Sequence, residues 1–272
     1  MATPVDPLCS TYKHTEGLRQ FLEDRCGTAR GLRVLDAGCG SASRVRLGID
    51  PIVTGIDISA RQLANHSGLS ERILGDLQTY PLAAERFDVA VCWELLEHLA
   101  NPSAALTNLA RTLRPGGLLV IAVPNRWSVK GLVTRLTPAR FHVLAYRHLF
   151  GTRHTGHGDE GPFPTHYHRS IAPNALVTLG ATLGLSLVYR EVYESGMQIR
   201  LRQSLHIPAW IWRLAIRTVR AASRGRVTLV DTECLLVLEK TVPPRCADTR
   251  YLGGSDAANS VAGITPVTYA GT

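Results

Sequence analysis

A glycine-rich turn preceded by an aspartate lies near the start of this chain, in the run VLDAGCGSA of residues 34–42. Gly38 and Gly40 would let the backbone approach a ligand closely, with amide groups directed at it from the start of a helix. Asp57 closes the apolar run of residues 52–56, and an acid at this spacing commonly holds ribose hydroxyls. The spacing predicts a nucleotide-type cofactor site.

Two cofactor classes use such a turn. The residue at the third glycine position of the nicotinamide motif distinguishes them. The nicotinamide fingerprint needs glycine or alanine where Ser43 stands, so its match is incomplete. Asp36 also counts against a nicotinamide oxidoreductase. That alternative is disfavoured.

The chain resembles the class I S-adenosylmethionine-dependent methyltransferases of the small-molecule "type 11" kind. Their first motif is matched by residues 34–42, with Ala42 where the family usually has a third glycine. The resemblance continues in order through GIDIS, GDL, FDVAVCWELLEHL and LRPGGLLV, at residues 55–59, 75–77, 87–99 and 113–120. It covers about residues 31–125, and a looser likeness extends to residue 240.

This resemblance implies an α/β fold, a Rossmann-like doubly wound, mostly parallel seven-stranded sheet with helices on both faces and a last antiparallel strand. It also implies S-adenosyl-L-methionine as cofactor. In the family pattern, Asp36 and the turn would hold the amino-acid end of the cofactor. Asp57 would hold the ribose, and Asp76 with Leu77 would hold the adenine. The full implied set is Asp36, Ala37, Gly38, Cys39, Gly40, Asp57, Ile58, Asp76, Leu77 and Trp93.

Alternating strand and helix signals agree with a parallel sheet. Strands are expected near residues 32–37, 52–57, 71–74, 87–92, 117–123, 185–193 and 232–239, and helices within residues 11–28 and 172–183. The chain is expected to begin with a helical cap at 1–30 and a cofactor-binding core at 31–125. A basic and histidine-rich insertion over the cleft follows at 126–170. The remainder of the core is expected at 171–240, with an amphipathic insertion at about 196–228, and a disordered tail at 241–272.

Charge is unevenly distributed along the chain, whose formal net charge is +8. Residues 126–170 carry seven Lys and Arg against two acids, and residues 196–228 carry seven arginines and no acid. RNA methylation is one interpretation of these basic segments. It is the weaker one, because no accessory RNA-binding module is visible and Cys92-Trp93-Glu94 stands where an Asn-Pro-Pro-Tyr-type motif would follow the fourth strand. Nucleic acid is therefore an unexpected partner.

Six cysteines are scattered without a Cys-x-x-Cys pair, so neither structural disulfides nor a metal site is expected. No run of about 18 uncharged apolar residues occurs, and the N-terminal residues lack the apolar region of a signal peptide. These features predict a cytoplasmic protein. A monomer or homodimer is expected, with weak peripheral membrane contact as a further expectation.

Histidine is the first candidate for a base, because an oxygen acceptor must lose its proton near neutral pH. His166 and His168 precede the returning helix, where the related enzymes often place residues that face the substrate. His98 follows the fourth strand, within a Glu-His-Leu element that resembles a packing element of the family. The three are candidate catalytic residues.

An arginine stripe marks the second insertion. Arg213, Arg217, Arg220 and Arg224 recur at helical spacing, and the opposite arc is expected to hold Ile211, Trp212, Ala215, Ile216 and Val219. A helix packed on the domain is the plain interpretation. A lid, a dimer contact or a membrane-surface helix are the alternatives, and tryptophans beside an arginine face favour the last of these.

The sequence therefore predicts an S-adenosylmethionine-dependent methyltransferase whose acceptor is a small, hydroxylated metabolite, with O-methylation favoured. One alternative is a lipid-linked or quinone-like acceptor at the membrane surface. A second alternative is an RNA-binding methyltransferase.

Overall fold

Seven strands form one sheet in the computed structural model, which describes residues 16–45, 47–136 and 168–242. The strands are β1 Arg33–Ala37, β2 Ile52–Asp57, β3 Glu71–Leu74, β4 Phe87–Trp93, β5 Leu113–Pro124, β6 Leu185–Tyr193 and β7 Glu233–Lys240. The candidate base His166, most of the insertion at 126–170 and the tail beyond Val242 lie outside the described residues.

Helices in the described residues are α1 Glu16–Cys26, α2 Ala60–Asn65, α3 Pro102–Thr112, α4 Val129–Leu136, α5 Pro173–Thr182, α6 Gly196–Ser204 and α7 Ala209–Ala222. Short 3-10 turns occupy Leu96–His98 and Arg169–Ile171. No helix in these ranges combines the length and the apolarity that crossing a bilayer requires.

The strand order is β3-β2-β1-β4-β5-β7-β6, and every neighbouring pair is parallel except those that involve β7. The chain runs outward from β1 to β3 and then returns to place β4 on the other side of β1. Such a reversal opens a crevice at the carboxyl ends of the strands, where ligands bind in open α/β sheets. The predicted Rossmann-like fold with one antiparallel strand is confirmed.

The central strands are buried on both faces, as parallel sheets covered by helices are. On one face Leu35, Ala90 and Leu119 pack with Leu106 and Leu109 of α3. The opposite face carries a second cluster that includes α1, with the members Leu18, Leu22, Val34, Val89, Val91, Trp93, Leu118, Val120 and Leu235. The alternation of side chains along each strand therefore builds a three-layer domain.

Helix α1 lies on the second face. Its Phe21 ring packs against Tyr189 with centroids 5.0 Å apart, and Arg25 pairs with Glu239 at 3.0 Å. Residues 1–15, which complete the predicted cap at 1–30, lie outside the described part of the chain. A cap over the cleft therefore stays a prediction.

Helix α3 fixes the loop that follows β3. Asn101 caps the helix by accepting a hydrogen bond from the Ala104 amide at 3.1 Å, and Pro102 fits its first turn. Further along, the buried Asn108 amide donates to the carbonyls of Leu77 and Tyr80 at 2.9 and 2.8 Å. The loop that carries the predicted adenine contact is thus held by a buried side chain.

We expect Leu109→Ala to lower the free energy of unfolding by about 2–5 kcal/mol, because it leaves a cavity between α3 and the sheet. Leu214→Ala, on the exposed part of α7, is the matched control and should change it by less than about 0.5 kcal/mol. Urea unfolding measures both, and equal effects would contradict the described core.

Candidate cofactor and acceptor site

The predicted motifs converge on the carboxyl ends of β1 to β4. The glycine turn follows β1, Asp57 ends β2, Asp76 comes two residues after β3, and Glu94 follows β4. In the sheet, Ala37 of β1 is in register with Ile56 of β2 and with Cys92 of β4. The polar groups of four strands therefore lie along one edge of the sheet, at the reversal between β1 and β4.

The turn after β1 requires its glycines. Gly38 and Gly40 have φ of +66° and +56°, a left-handed conformation that glycine adopts without a steric penalty. A Cβ on Gly38 would stand 2.7 Å from Leu95 Cδ1, and one on Gly40 would stand 2.7 Å from Gln62 Oε1. The turn therefore keeps bare backbone at the strand edge, as a close approach to a ligand demands.

Asp57 holds this turn to the next strand. Its Oδ2 accepts a hydrogen bond from the Gly40 amide at 2.9 Å, and its Oδ1 accepts one from the Ser59 amide at 2.8 Å. Ser59 in turn caps α2 through the Gln62 amide at 3.1 Å. Each oxygen of an ionised carboxylate has a further lone pair, so Asp57 can also accept from the hydroxyls of a ribose.

Asp36 is directed into the turn. Its side chain is buried, and burial raises the pKa of its carboxyl to about 6, although a hydrogen bond with Ser43 acts in the opposite direction. The Ser43 hydroxyl lies 3.3 Å from Nε2 of the buried His66. Asp36 thus supports the turn through Ser43, and its contact with the amino-acid end of the cofactor stays a prediction.

Three other predicted contacts have buried side chains. Ala37 and Cys39 are nearly inaccessible, and Cys39 packs with Leu63 and Leu69. Burial raises the pKa of the Cys39 thiol to about 12, so the thiol is uncharged at neutral pH. Trp93 belongs to the core cluster on the α1 face. At Ala37 and Cys39, only the backbone is suited to hold a cofactor.

The remaining predicted contacts lie in the loops that follow β2 and β3. Asp76 is braced by Gln78, whose amide donates to it at 2.9 Å, while Leu77 is buried against the core. Ile58, directly after Asp57, leaves 77% of its surface exposed. An exposed apolar side chain beside the glycine turn and the carboxylate predicted to hold the ribose fits S-adenosylmethionine.

Two buried glutamates at the same edge were not predicted as site residues from the sequence. Glu97, interpreted there as part of a packing element, is 5% exposed, and Glu233 at the start of β7 is 3% exposed. Glu233 pairs with Lys130 of α4 at 2.5 Å. The available signal was an acid next to the apolar run of a strand: Glu97 comes four residues after β4, and Glu233 is the first residue of β7. Buried acids are uncommon, and those with shifted pKa values cluster at functional sites.

Burial shifts both carboxyls toward the neutral form. It raises the pKa of Glu97 to about 8, with smaller contributions from the nearby charges of Glu94 and Glu233. It also raises the pKa of Glu233, although Lys130 acts against this. The Oε2 atom of Glu97 has no hydrogen-bond partner within the described ranges. A buried, unsatisfied oxygen of this kind can accept a proton or a hydrogen bond from a ligand.

The backbone beside these acids is strained. Glu94 has a φ of +50°, a conformation that is uncommon outside glycine, and its amide donates to the Ala122 carbonyl at 2.9 Å. Strain of this kind persists where the surrounding structure imposes it, and it clusters at functional sites. The geometry after β4 therefore agrees with a site at this edge.

The predicted histidines are separated. His98 is half-buried in the 3-10 turn after β4, close to the carboxyl edge, and His168 is exposed just before the turn Arg169–Ile171. His166 lies outside the described residues. The role of each as a base stays a prediction.

Cys26, Cys39, Cys92 and Cys234 are buried and free, and Cys9 and Cys246 lie outside the described residues. In the ranges that the structure covers, no three His, Cys, Asp or Glu side chains are grouped to hold a metal ion.

Comparison with known proteins agrees with this geometry. The sequence pattern of the methyltransferase domain family matches residues 12–164. The chain is 34% identical over 142 residues to "O-methyltransferase rstn1" of Aspergillus nomiae, covering 48% of this chain and 62% of that protein. It is 31% identical over 150 residues to "Ubiquinone biosynthesis O-methyltransferase" of Bordetella avium, covering 48% of this chain and 61% of that protein. The chain thus spans about three-fifths of the length of these curated relatives.

A solved structure shares the fold. A chain of the complex that contains the Haloferax volcanii Trm112 methyltransferase activator matches with a TM-score of 0.50 and 17% identity, over 82% of this chain and 88% of that chain. The sheet order and the motifs at its carboxyl edge define the class I S-adenosylmethionine-dependent methyltransferases. The chain belongs to the methyltransferase domain family.

We expect Asp57→Ala to weaken S-adenosylmethionine binding at least about tenfold, because charge-assisted hydrogen bonds to the ribose are lost along with the brace on the turn. Isothermal titration calorimetry measures the affinity. The matched control is Asp88→Ala, since Asp88 also accepts a backbone hydrogen bond, from the Arg33 amide at 2.8 Å, but at the amino edge of the sheet.

The control should bind the cofactor as the wild type does. Equal affinities for the wild type and Asp57→Ala, or tighter binding of NAD than of S-adenosylmethionine, would refute the assignment of this site.

Proposed function

We propose that the chain transfers a methyl group from S-adenosylmethionine to a hydroxyl oxygen of a small molecule. The proposal is carried by one juxtaposition: the glycine turn with Asp57 and the buried carboxyl of Glu97 share the carboxyl edge of the sheet, on either side of the reversal between β1 and β4. The relatives named as O-methyltransferases support oxygen as the atom that is methylated.

The cofactor supplies an activated methyl group when bound, and the protein must align the acceptor and keep water out. Two features of this chain serve alignment. The turn is held to β2 by Asp57, and the loop after β3 is held to α3 by Asn108. Both supports are hydrogen bonds between groups of the protein itself. The residues proposed to bind the cofactor therefore keep their positions before a ligand binds.

A hydroxyl acceptor must also lose its proton, and Glu97 is suited to take it. A general base works best when its pKa lies near the operating pH, and burial brings the pKa of Glu97 to about 8. Its buried Oε2 has no hydrogen-bond partner among the described residues, which supports a role in accepting the proton of an acceptor hydroxyl. His98 and His168 are the alternative bases in the described residues.

We expect the protein to produce S-adenosylhomocysteine and a methyl ether when it is incubated with S-adenosylmethionine and a panel of small phenols and catechols. Mass spectrometry detects the methylated product, and matched aniline and thiophenol acceptors serve as controls. Transfer to nitrogen or sulfur but never to oxygen would contradict O-methylation without contradicting cofactor binding.

The pH profile of this reaction distinguishes the bases. With Glu97 as base, the rate at saturating cofactor should rise as pH increases through about 8, because only the ionised carboxyl takes a proton. Glu97→Gln should lower the rate at least about 100-fold and flatten the profile. His98→Gln and His168→Gln should keep the rise of the rate with pH. Loss of this rise in either variant would identify that histidine as the base.

A further inference from the structure

Helices α6 and α7 project from the edge of the sheet that carries the site. They connect the end of β6 at Tyr193 to the start of β7 at Glu233, and these two residues are in register. Because β7 runs antiparallel to β5, its first residue also pairs with Pro124, at the carboxyl end of β5. The insertion therefore begins and ends at the edge where the cofactor motifs lie.

The loop after α7 is bound tightly to the loop after β5. The Asn125 side chain donates to the Asp231 carbonyl at 2.8 Å, and the Thr228 amide donates to the Trp127 carbonyl at 3.1 Å. The Val129 amide donates to the Thr228 carbonyl at 2.8 Å. These bonds hold the end of the insertion against the site edge.

One face of α7 packs on the protein. Trp212, Ala215, Ile216 and Val219 are half-buried, and the Arg202 guanidinium of α6 lies 5.0 Å from the centre of a Trp212 ring. Ile211 was expected on this face and is instead 40% exposed. The expectation was wrong because the packed arc is narrower than a simple division into two faces assumes.

The exposed surface of α7 has two parts, a basic stripe and an apolar stripe. At about 100° per residue, Arg213, Arg217 and Arg220 fall within an arc of about 60°. Arg224 was expected to continue this stripe, but it lies beyond the end of α7 and has a left-handed φ of +51°. The next arc carries Trp210, Leu214 and Ile211, which are 62%, 57% and 40% exposed. Residues 196–228 contain no acid that would neutralise the arginines.

We propose that this surface, Arg213, Arg217 and Arg220 with Trp210, Leu214 and Ile211, binds an anionic membrane. Arginines complement lipid phosphates, and adjacent tryptophan and aliphatic side chains enter the boundary between headgroups and acyl chains, as in interfacial helices. A nucleic acid would use the arginines but leave Leu214 and Ile211 without a role.

The placement links attachment to the site. Since α7 extends from the carboxyl edge, binding holds that edge near the lipid, where an acceptor dissolved in the membrane can reach it. This consequence for the acceptor rests on the proposed function, whereas attachment itself does not.

Co-sedimentation of the full chain with vesicles tests the proposal, without cofactor or acceptor, so that its failure is distinct from a failure of methyl transfer. We expect binding to vesicles of phosphatidylglycerol and phosphatidylcholine at low salt, and at least tenfold weaker binding to phosphatidylcholine alone. High salt should release the protein, because exposed charges are screened over about 10 Å at 0.1 M.

Two variants separate the basic stripe from the apolar stripe. Arg213→Gln with Arg217→Gln should weaken binding about 30-fold, near fivefold for each arginine. Trp210→Ala with Leu214→Ala should weaken it at least about tenfold. The matched control is Arg30→Gln with Arg33→Gln, two exposed arginines at the amino edge of the sheet, which should bind as the wild type does.

Three results would overturn the proposal. The first is equal binding to both kinds of vesicle, and the second is an equal loss of vesicle binding in the control variant. The third is tighter binding to a single-stranded RNA oligomer than to vesicles, with the RNA affinity unchanged by Trp210→Ala with Leu214→Ala. A dimer that dissociates in that apolar variant would likewise assign the surface to a second copy of this chain.

Discussion

The hydrogen bond from the Gly40 amide to the Asp57 carboxylate joins the ends of two neighbouring strands, β1 and β2, at the point where the chain leaves them. Parallel pairing of β1 and β2 brings Ala37 beside Ile56, and Asp57 is the next residue along β2. The turn reaches this carboxylate with left-handed backbone at Gly38 and Gly40. Sheet register, turn conformation and the acid predicted to hold the ribose are thus one arrangement, and the rest of the candidate site lies around it.

Around this arrangement the fold buries acids that reduce its stability. The carboxyls of Asp36 and Glu97 have pKa values raised to about 6 and about 8 because burial disfavours the charged form. The folded state therefore holds these protons more tightly than the unfolded chain. The stabilising contribution of protonated Glu97 is complete below pH 4.5 and is lost as the pH rises through about 8. A carboxyl that opposes stability near neutral pH is expected at a functional site.

Local turn chemistry explains what could be predicted from the sequence. The glycines, Asp57 and the alternation of apolar runs indicate the sheet and its cofactor edge, because each depends on residues close together in the chain. Glu97 and Glu233 come from segments far apart in the chain, and the pairing of β7 with β5 and β6 brings Glu233 to this edge. The pairing of Lys130 with Glu233 has the same origin. The exposed apolar stripe of α7 depends on the width of the arc that packs on the protein. The spacing of the arginines does not reveal this width.

The central claim is that the edge between β1 and β4 holds S-adenosylmethionine. A crystal structure of the chain with S-adenosylhomocysteine tests it most directly. The account predicts both ribose hydroxyls within hydrogen-bond distance of the Asp57 carboxylate, with the amino-acid end over the turn of Gly38 and Gly40. A nucleoside bound elsewhere, or one whose ribose faces away from Asp57, would contradict it.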